Sequence, residues 1–304
     1  MKVAVLYGGT SGEREVSLSS GKGIMNALQK KGHEVIGIDF NPSKINELIT
    51  LDVDIVFIGL HGRFGEDGRI QGLLDLLNIP YVGSGVLGSA LAMNKVKAKR
   101  ILEREGIRVA KDQTLNAATF NRDSFQFELE YPAVVKPACE GSTIGLTIAH
   151  NEQELMAGVE EGFKHDENLL IEEFIDGMEV TVAVLGEKGK EQALPVIEIV
   201  PKNKYYDYES KYAPGMSEHI IPARVSDDIT EYLQNMAVLA HQSLDCKTYS
   251  RTDFIVPHDG SLPVLLEVNT LPGMTPTSLF PDAAREIGLS YEDMIETLLQ
   301  LSLK

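Results

Sequence analysis

Within about the first ninety residues, four short apolar runs alternate with segments of helical spacing, and glycines punctuate the joins. Val3–Tyr7 stops at Gly8-Gly9, Glu34–Asp39 and Ile55–Leu60 follow, and Tyr81–Val82 is a short fourth run. Between them, Ile24, Met25 and Leu28 recur at helical intervals up to Gly32, and Ile70, Leu73, Leu74 and Leu77 do the same. Strands that alternate with helices build a parallel sheet, because the helix carries the chain back to the same end. Such a sheet binds ligands beyond its strand C-termini, which here gathers the loops Gly8–Arg14, His61–Gly68 and Gly83–Gly88.

Past this region the texture changes. A basic helix is predicted from Val86 to Glu105, carrying Lys95, Lys97, Lys99 and Arg100. Short β runs at Pro132–Lys136 and Ile144–Ile148 flank a Gly/Ser turn, with a helix over Glu152–Gly162 and a strand at Leu169–Phe174. Val180–Leu185 and Gln192–Ile199 read as a hairpin, and a polar, Tyr-rich loop covers Lys202–Glu218. A helix at Ile229–Leu244, strands at Ser250–Val256 and Pro263–Val268, and a closing helix at Tyr291–Leu301 complete the pattern. A chain of 304 residues exceeds what one core usually holds, so more than one domain is expected.

The charge balance excludes one class of partner. With 28 Lys and Arg against 45 Asp and Glu, the net charge is −17, the wrong sign for a nucleic-acid binder. An anionic ligand must be met by a few local cations. Cys139 and Cys246 form no metal spacing, and no apolar run is long enough for a membrane span, so a cytoplasmic protein is expected.

Several constellations carry chemistry. Lys136-Pro137 ends a strand and leads into Glu140-Gly141-Ser142-Thr143-Ile144-Gly145, where small residues let backbone N–H groups approach a phosphate. Arg251-Thr252-Asp253 and Glu267-Val268-Asn269 lie on strands joined by the turn His258-Asp259-Gly260. Side chains alternate along a strand, so Arg251, Asp253, Glu267 and Asn269 share one face. Such a face suits Mg²⁺, which takes oxygen ligands and completes its shell with phosphate and water. Leu271–Leu279 holds Gly273 between prolines, where its N–H can serve an oxyanion. Tyr205–Tyr212 has the make-up of a lid. Gly83-Ser84-Gly85-Val86-Leu87-Gly88 fits a dinucleotide fingerprint but follows the fourth strand, with no acid on the next one, so it reads as a turn into a helix.

Taken in order, Gly8–Ser17, His61-Gly62 with Gly65–Gly68, Met93-Asn94-Lys95, Lys136-Pro137 with Glu140–Ser142, Tyr206–Tyr208 with Lys211-Tyr212, and Arg251…Asp253…Glu267…Asn269 with Pro272–Thr275 resemble the D-alanine–D-alanine ligases of the ATP-grasp superfamily. The likeness runs from Val3 to the last helix. It implies an N-terminal parallel α/β domain over 1–92, then a two-part ATP-grasp fold, 93–178 and 179–304, with a lid at 202–218.

The resemblance also implies ATP-dependent joining of two D-alanines through an acyl phosphate, with D-alanyl-D-lactate or D-alanyl-D-serine synthesis, or another ATP-grasp carboxylate–amine ligase, as alternatives. By it, Lys95, Lys136 and Lys211 serve ATP, and Glu172, Phe174, Ile175 and Glu179 surround adenine and ribose. Asp253, Glu267 and Asn269 hold two Mg²⁺ ions, or Mn²⁺. Glu13 meets the first substrate's ammonium, with His61 beside it. Lys211, Ser278 and Leu279 hold the second carboxylate, and Arg251 and Gly273 stabilise the oxyanion. Glu13, Ser142 and Tyr212 form a hydrogen-bonded triad. A homodimer is the family expectation.

Overall fold

The computed structural model describes residues 1–201 and 217–303. Its first sheet contains β1 (Lys2–Gly8), β2 (Glu34–Phe40), β3 (Ile55–Ile58) and β4 (Tyr81–Val82), in the order β2-β1-β3-β4 and parallel throughout. Val3–Leu6 and all of β3 are buried, as unbroken apolar runs require when helices cover a sheet. The crossovers are α1 (Arg14–Lys30), the single turn α2 (Asn46–Ile49) and α3 (Arg69–Leu76). Ile24, Ala27 and Leu28 form the buried stripe of α1.

Two antiparallel sheets follow. The smaller has the order β5-β8-β6-β7, from β5 (Asp112–Asn116), β6 (Ala133–Pro137), β7 (Thr147–Ala149) and β8 (Asn168–Glu173). Helix α6 (Glu152–Gly162), capped by Asn151, closes one face of it. The larger sheet takes β9 (Gly177–Gly186), β10 (Gln192–Ala193), β11 (Ile197–Pro201), β12 (Ser217–Ile220), β13 (Thr248–Pro257) and β14 (Val264–Asn269). Its order is β12-β11-β9-β13-β14, with β10 paired to β9. Helices α7 (Asp227–Ser243), α8 (Leu279–Glu286) and α9 (Tyr291–Leu301) pack on it.

The parallel-then-antiparallel architecture matches the expectation from sequence, with instructive local differences. The single basic helix is two, α4 (Val86–Met93) and α5 (Lys95–Arg104). Asn94 leaves helical geometry at φ −87°, ψ 92°, and its side chain accepts from the Lys97 N–H at 3.1 Å, capping the second helix. The Gln192–Ile199 strand is also two pieces, β10 and β11, both paired to β9. Of Ile144–Ile148, only the end enters β7. Strands β5 and β12 and helix α8 were not foreseen; Ser217 and Glu218, expected in the loop, lie in β12. The Gly83–Gly88 turn faces β13's approach, where the Lys247 N–H donates to Ser84 Oγ at 3.1 Å. A Cβ on Gly88 would stand 2.5 Å from the Asp245 carbonyl, so close packing explains that glycine without a nucleotide.

Candidate active site

A cleft of about 540 Å³ opens between the two antiparallel sheets. Lys95, Lys136, Glu172, Phe174, Ile175 and Glu179 all border it, while Lys211 lies outside the described residues. The break at Asn94 starts α5 at the cleft, so Lys95 enters it nearly buried. Its ammonium donates to the Glu140 carbonyl at 2.6 Å and lies 3.2 Å from Glu267 Oε2. Burial opposes that charge, but the Glu267 carboxylate outweighs it and holds Lys95 above the ordinary lysine pKa. Glu172 uses both oxygens on lysines, Lys99 and Lys136, each at 2.5 Å. Burial favours its neutral form, yet the two cations win and keep its pKa low.

The turn after β6 is the floor of the cleft. Ser142 and Thr143 sit at φ 52° and 66°, and Gly145 at 69°. Two consecutive non-glycine residues in the left-handed region are strained, and such strain persists where surrounding structure holds the loop. Cys139, beside this turn, has its thiol pushed up to about 11 by burial and the nearby Asp166, so it stays protonated and unreactive.

Strands β13 and β14 pair Arg251 with Asn269 and Asp253 with Glu267, the juxtaposition expected from period two. Arg251 grips Asp253 with Nε to Oδ1 at 2.9 Å and Nη2 to Oδ2 at 2.8 Å. Thr181 Oγ1 and Asn269 Nδ2 also donate to Asp253, at 2.5 and 3.0 Å. Among the described residues no three His, Cys, Asp or Glu side chains form a metal cage. Two carboxylates and an amide oxygen, opening onto a cleft, are still the hard, incomplete donor set that fits a Mg²⁺ shared with phosphate. Thr252, buried on the opposite face, has a hydroxyl with no partner among the described residues.

A second cavity of about 300 Å³ lies against the first sheet. Glu13, His61, Arg251, Asn269, Gly273, Ser278 and Leu279 line it, and Gly141, Ser142 and Glu267 border both cavities. Ser142 Oγ donates to Glu13 Oε1, linking the turn after β6 to the loop before α1. A Cβ on Gly62 would stand 2.9 Å from Glu13 Oε2, and one on Gly141 3.1 Å from it, so these glycines let two backbones close on one carboxylate. Tyr212, the third member of the expected triad, lies outside the described residues.

His61 is buried and uses both ring nitrogens. Nδ1–H donates to the Leu271 carbonyl at 3.0 Å, which leaves Nε2 to accept from Ser20 Oγ at 3.1 Å. Ser20 accepts in turn from the Met274 N–H at 3.3 Å, so His61 straps the Gly273 loop to α1. Burial lowers its pKa and keeps the imidazole neutral. Ser278 stands at the N-terminus of α8 and accepts from the Thr275 N–H at 3.1 Å.

Several residues of the site were missed from sequence. Glu66 receives the Gly62 N–H at 2.6 Å, and burial with the neighbouring Glu13 charge pushes it up to about 8. Its position inside Gly65–Gly68 was the available signal. Thr181, His219 and the Glu198–Arg224 pair, bonded through Arg224 Nε at 2.9 Å, had none: strand register brings in the first two and Glu198, and Arg224 reaches Glu198 from the connection after β12.

The comparisons with known proteins agree with this geometry. Family models described as the D-ala D-ala ligase N-terminus and C-terminus match residues 2–46 with 43–84, and 101–300, respectively. The chain is 68% identical over 304 residues to a D-alanine–D-alanine ligase of Halalkalibacterium halodurans, each covered in full. It is 49% identical over 300 residues to one of Syntrophotalea carbinolica, covering 98% of this chain and 95% of the relative. A D-alanine–D-alanine ligase of Bacillus anthracis complexed with ATP superposes with a TM-score of 0.86 at 31% identity, covering 100% and 97%. The VanG D-Ala:D-Ser ligase of Enterococcus faecalis gives 0.85 at 33% identity, covering 99% of both. Matched along its whole length in sequence and in fold, the chain belongs to the D-alanine–D-alanine ligase family.

Proposed function

We propose that this protein joins two D-alanines at the expense of ATP, by way of a D-alanyl phosphate. The observation that carries the reading is the shared wall of the two cavities. Gly141, Ser142 and Glu267 border both, so a γ-phosphate lying over the turn is within reach of a carboxylate in the second cavity. A carboxylate is a poor electrophile until phosphorylated, and transfer of this kind is mostly positioning and charge neutralisation.

In this reading ATP lies in the larger cleft with its phosphates against Lys95 and Lys136 and its base near Phe174, Ile175 and Glu179. Glu13 holds the first substrate's ammonium while that substrate's carboxylate oxygen attacks the γ-phosphorus and ADP leaves. The second D-alanine places its carboxylate at Ser278 and Leu279, where the α8 N-terminus favours negative charge. Its amine, having lost a proton, attacks the carbonyl carbon. Arg251 and the Gly273 N–H stabilise the tetrahedral oxyanion, and phosphate departs. Asp253, Glu267 and Asn269 would hold Mg²⁺, which supplies neutralisation of the transferring phosphoryl group. An acyl phosphate must be kept from water, a task we assign to residues 202–216 and to Lys211 and Tyr212 within them. We take 1–92, 93–178 and 179–304 as the three units of the chain, the cytoplasm as the site of action and a homodimer as the working form.

The test is phosphate release from Mg-ATP with D-alanine, beside L-alanine and beside D-alanine with D-lactate or D-serine, with product masses recorded. Turnover on D-alanine alone, giving the dipeptide mass, is the expected result. Preference for D-lactate or D-serine would move the chain to the ester- or serine-forming branch, and no turnover with any D-amino acid would overturn the reading.

A further inference from the structure

Behind the nucleotide cleft the structure holds a ladder of alternating charge that neither the sequence nor the family resemblance pointed to. Its outer end is Arg100, half exposed, whose guanidinium forks onto Asp112 with Nη1 to Oδ1 at 3.0 Å and Nη2 to Oδ2 at 2.6 Å. Asp112 Oδ1 lies 3.3 Å from Lys99 Nζ. Lys99, only 2% exposed, donates to Glu172 Oε1 at 2.5 Å and to the Ala110 carbonyl at 2.8 Å. Glu172 Oε2 then meets Lys136 Nζ at 2.5 Å, and Lys136 faces the cleft. Register builds the middle of this chain, because β5 and β8 pair Asp112 opposite Glu172 and α5 lays Lys99 over both.

From Arg100 to Lys136 the order is cation, anion, cation, anion, cation, one positive charge in surplus; Glu103, 3.7 Å from the exposed Arg100 guanidinium, offsets it only at the solvent end, where water screens the pair. Where that surplus resides is decided by Lys99. With Lys99 in place, Glu172 divides its charge between two ammonium groups. Without it, Glu172 and Lys136 would form a neutral pair, and a phosphate in the cleft would meet a dipole instead of a cation. We propose that Lys99 is a positioning residue for nucleotide binding: by neutralising Glu172 from behind, it delivers a whole positive charge to the cleft through Lys136. This rests on reading the larger cleft as the ATP site.

The experiment is steady-state kinetics of the full-length enzyme with both substrates varied, and unfolding followed in parallel. Lys99→Met is expected to raise the KM for ATP about tenfold while the KM for D-alanine and kcat stay within about threefold. Lys99→Arg, which keeps the charge, should stay near the parent. Lys99→Met should cost much less ATP affinity in a Glu172→Gln background than in the parent, because the excess carboxylate charge is already gone there; loss of a merely structural contact would cost the same in both. Arg100→Ala, at the exposed end, lets Asp112 draw Lys99 away from Glu172 and should raise the KM for ATP about two- to fourfold, so the proposal stays testable if Lys99→Met fails to fold. An unchanged KM for ATP in folded Lys99→Met, a cost of that substitution undiminished in the Glu172→Gln background, or, where Lys99→Met does not fold, an unchanged KM in Arg100→Ala overturns the proposal. Lys136→Met separates the two levels: if it too leaves the KM for ATP unchanged, the cleft reading itself falls and takes the proposal with it.

Discussion

Single side chains in this site are held by more partners than their catalytic roles demand. Asp253 accepts from Arg251, Thr181 and Asn269, and Glu267 lies beside Lys95. Arg251 and Lys95 neutralise these carboxylates, which lets the two lie side by side on a largely buried face. Glu267→Gln keeps the shape and removes the charge. It is expected to lower Mg²⁺-dependent turnover at least about a hundredfold and to raise the Mg²⁺ needed for half-maximal rate. Full Mg²⁺-dependent turnover in that variant, measured across a Mg²⁺ titration, would remove Glu267 from the ligand set. The face that carries Arg251, Asp253, Glu267 and Asn269 was legible beforehand, because period two and one glycine turn fix it. Thr181 was not, for it reaches Asp253 from β9, a strand some seventy residues earlier in the chain.

The element that matters most for the site is the joint between α4 and α5. Val86–Arg104 contains no proline, and its only glycine lies in the first turn, so helical periodicity runs straight through it. What divides it is Asn94, whose side chain satisfies the Lys97 N–H while its backbone turns to an extended geometry. The Lys95 N–H then bonds the Ala138 carbonyl at 3.0 Å, fastening the start of α5 to the end of β6, where the Glu140–Gly145 turn begins. Asn94→Ala should cost about 1 kcal/mol of stability through the lost cap. Because Lys95 is aimed by the same joint, the KM for ATP should rise more than the KM for D-alanine. Denaturant unfolding and two-substrate kinetics check the two halves, and an equal change in both KM values would count against the aiming role. The unforeseen β5 and α8 have a similar cause: Asp112–Asn116 is a polar edge strand without an apolar run, and Leu279–Glu286 begins inside a proline-rich loop.

Across the whole molecule, the first sheet does not keep a core to itself. Leu6, Ile24 and Phe57 belong to one buried cluster with Ala183, Phe280 and Leu298, so the N-terminal sheet, the larger antiparallel sheet and the last helices are packed as one body. The acidic total still leaves cations at the cleft, where Lys95 and Lys136 are nearly buried and Arg224 borders the rim. Among the described residues no helix is long and apolar enough to cross a membrane. One buried group ties global stability to pH. His241, on α7, hydrogen-bonds Ser250 through Nδ1 at 2.7 Å, while its buried Nε2 has no partner among the described residues. Burial lowers its pKa to about 4. Between an ordinary imidazole value of about 6.5 and that lowered one, the unfolded chain takes a proton that the folded chain refuses, so stability falls as pH drops across this window. The full effect is about 3 kcal/mol. Denaturant unfolding from pH 7 to 4.5 should show a slope that flattens in His241→Gln; an identical slope in both proteins would refute the assignment.

The parallel first sheet, most strands of the two sheets after it, the face of Arg251, Asp253, Glu267 and Asn269 and the Glu140–Gly145 turn are determined by local pattern. Each depends on residues a few positions apart, through strand alternation, helical spacing or glycine geometry, and those relations survive without knowledge of the rest of the chain. The tertiary structure decided the partners. That Ser142 bonds Glu13 across 129 positions, that His61 braces the Gly273 loop, and that Lys99 stands behind Glu172 follow from how sheets and helices approach one another in space. Buried charges and polar groups must find partners wherever packing brings them, and sequence spacing carries no record of that distance.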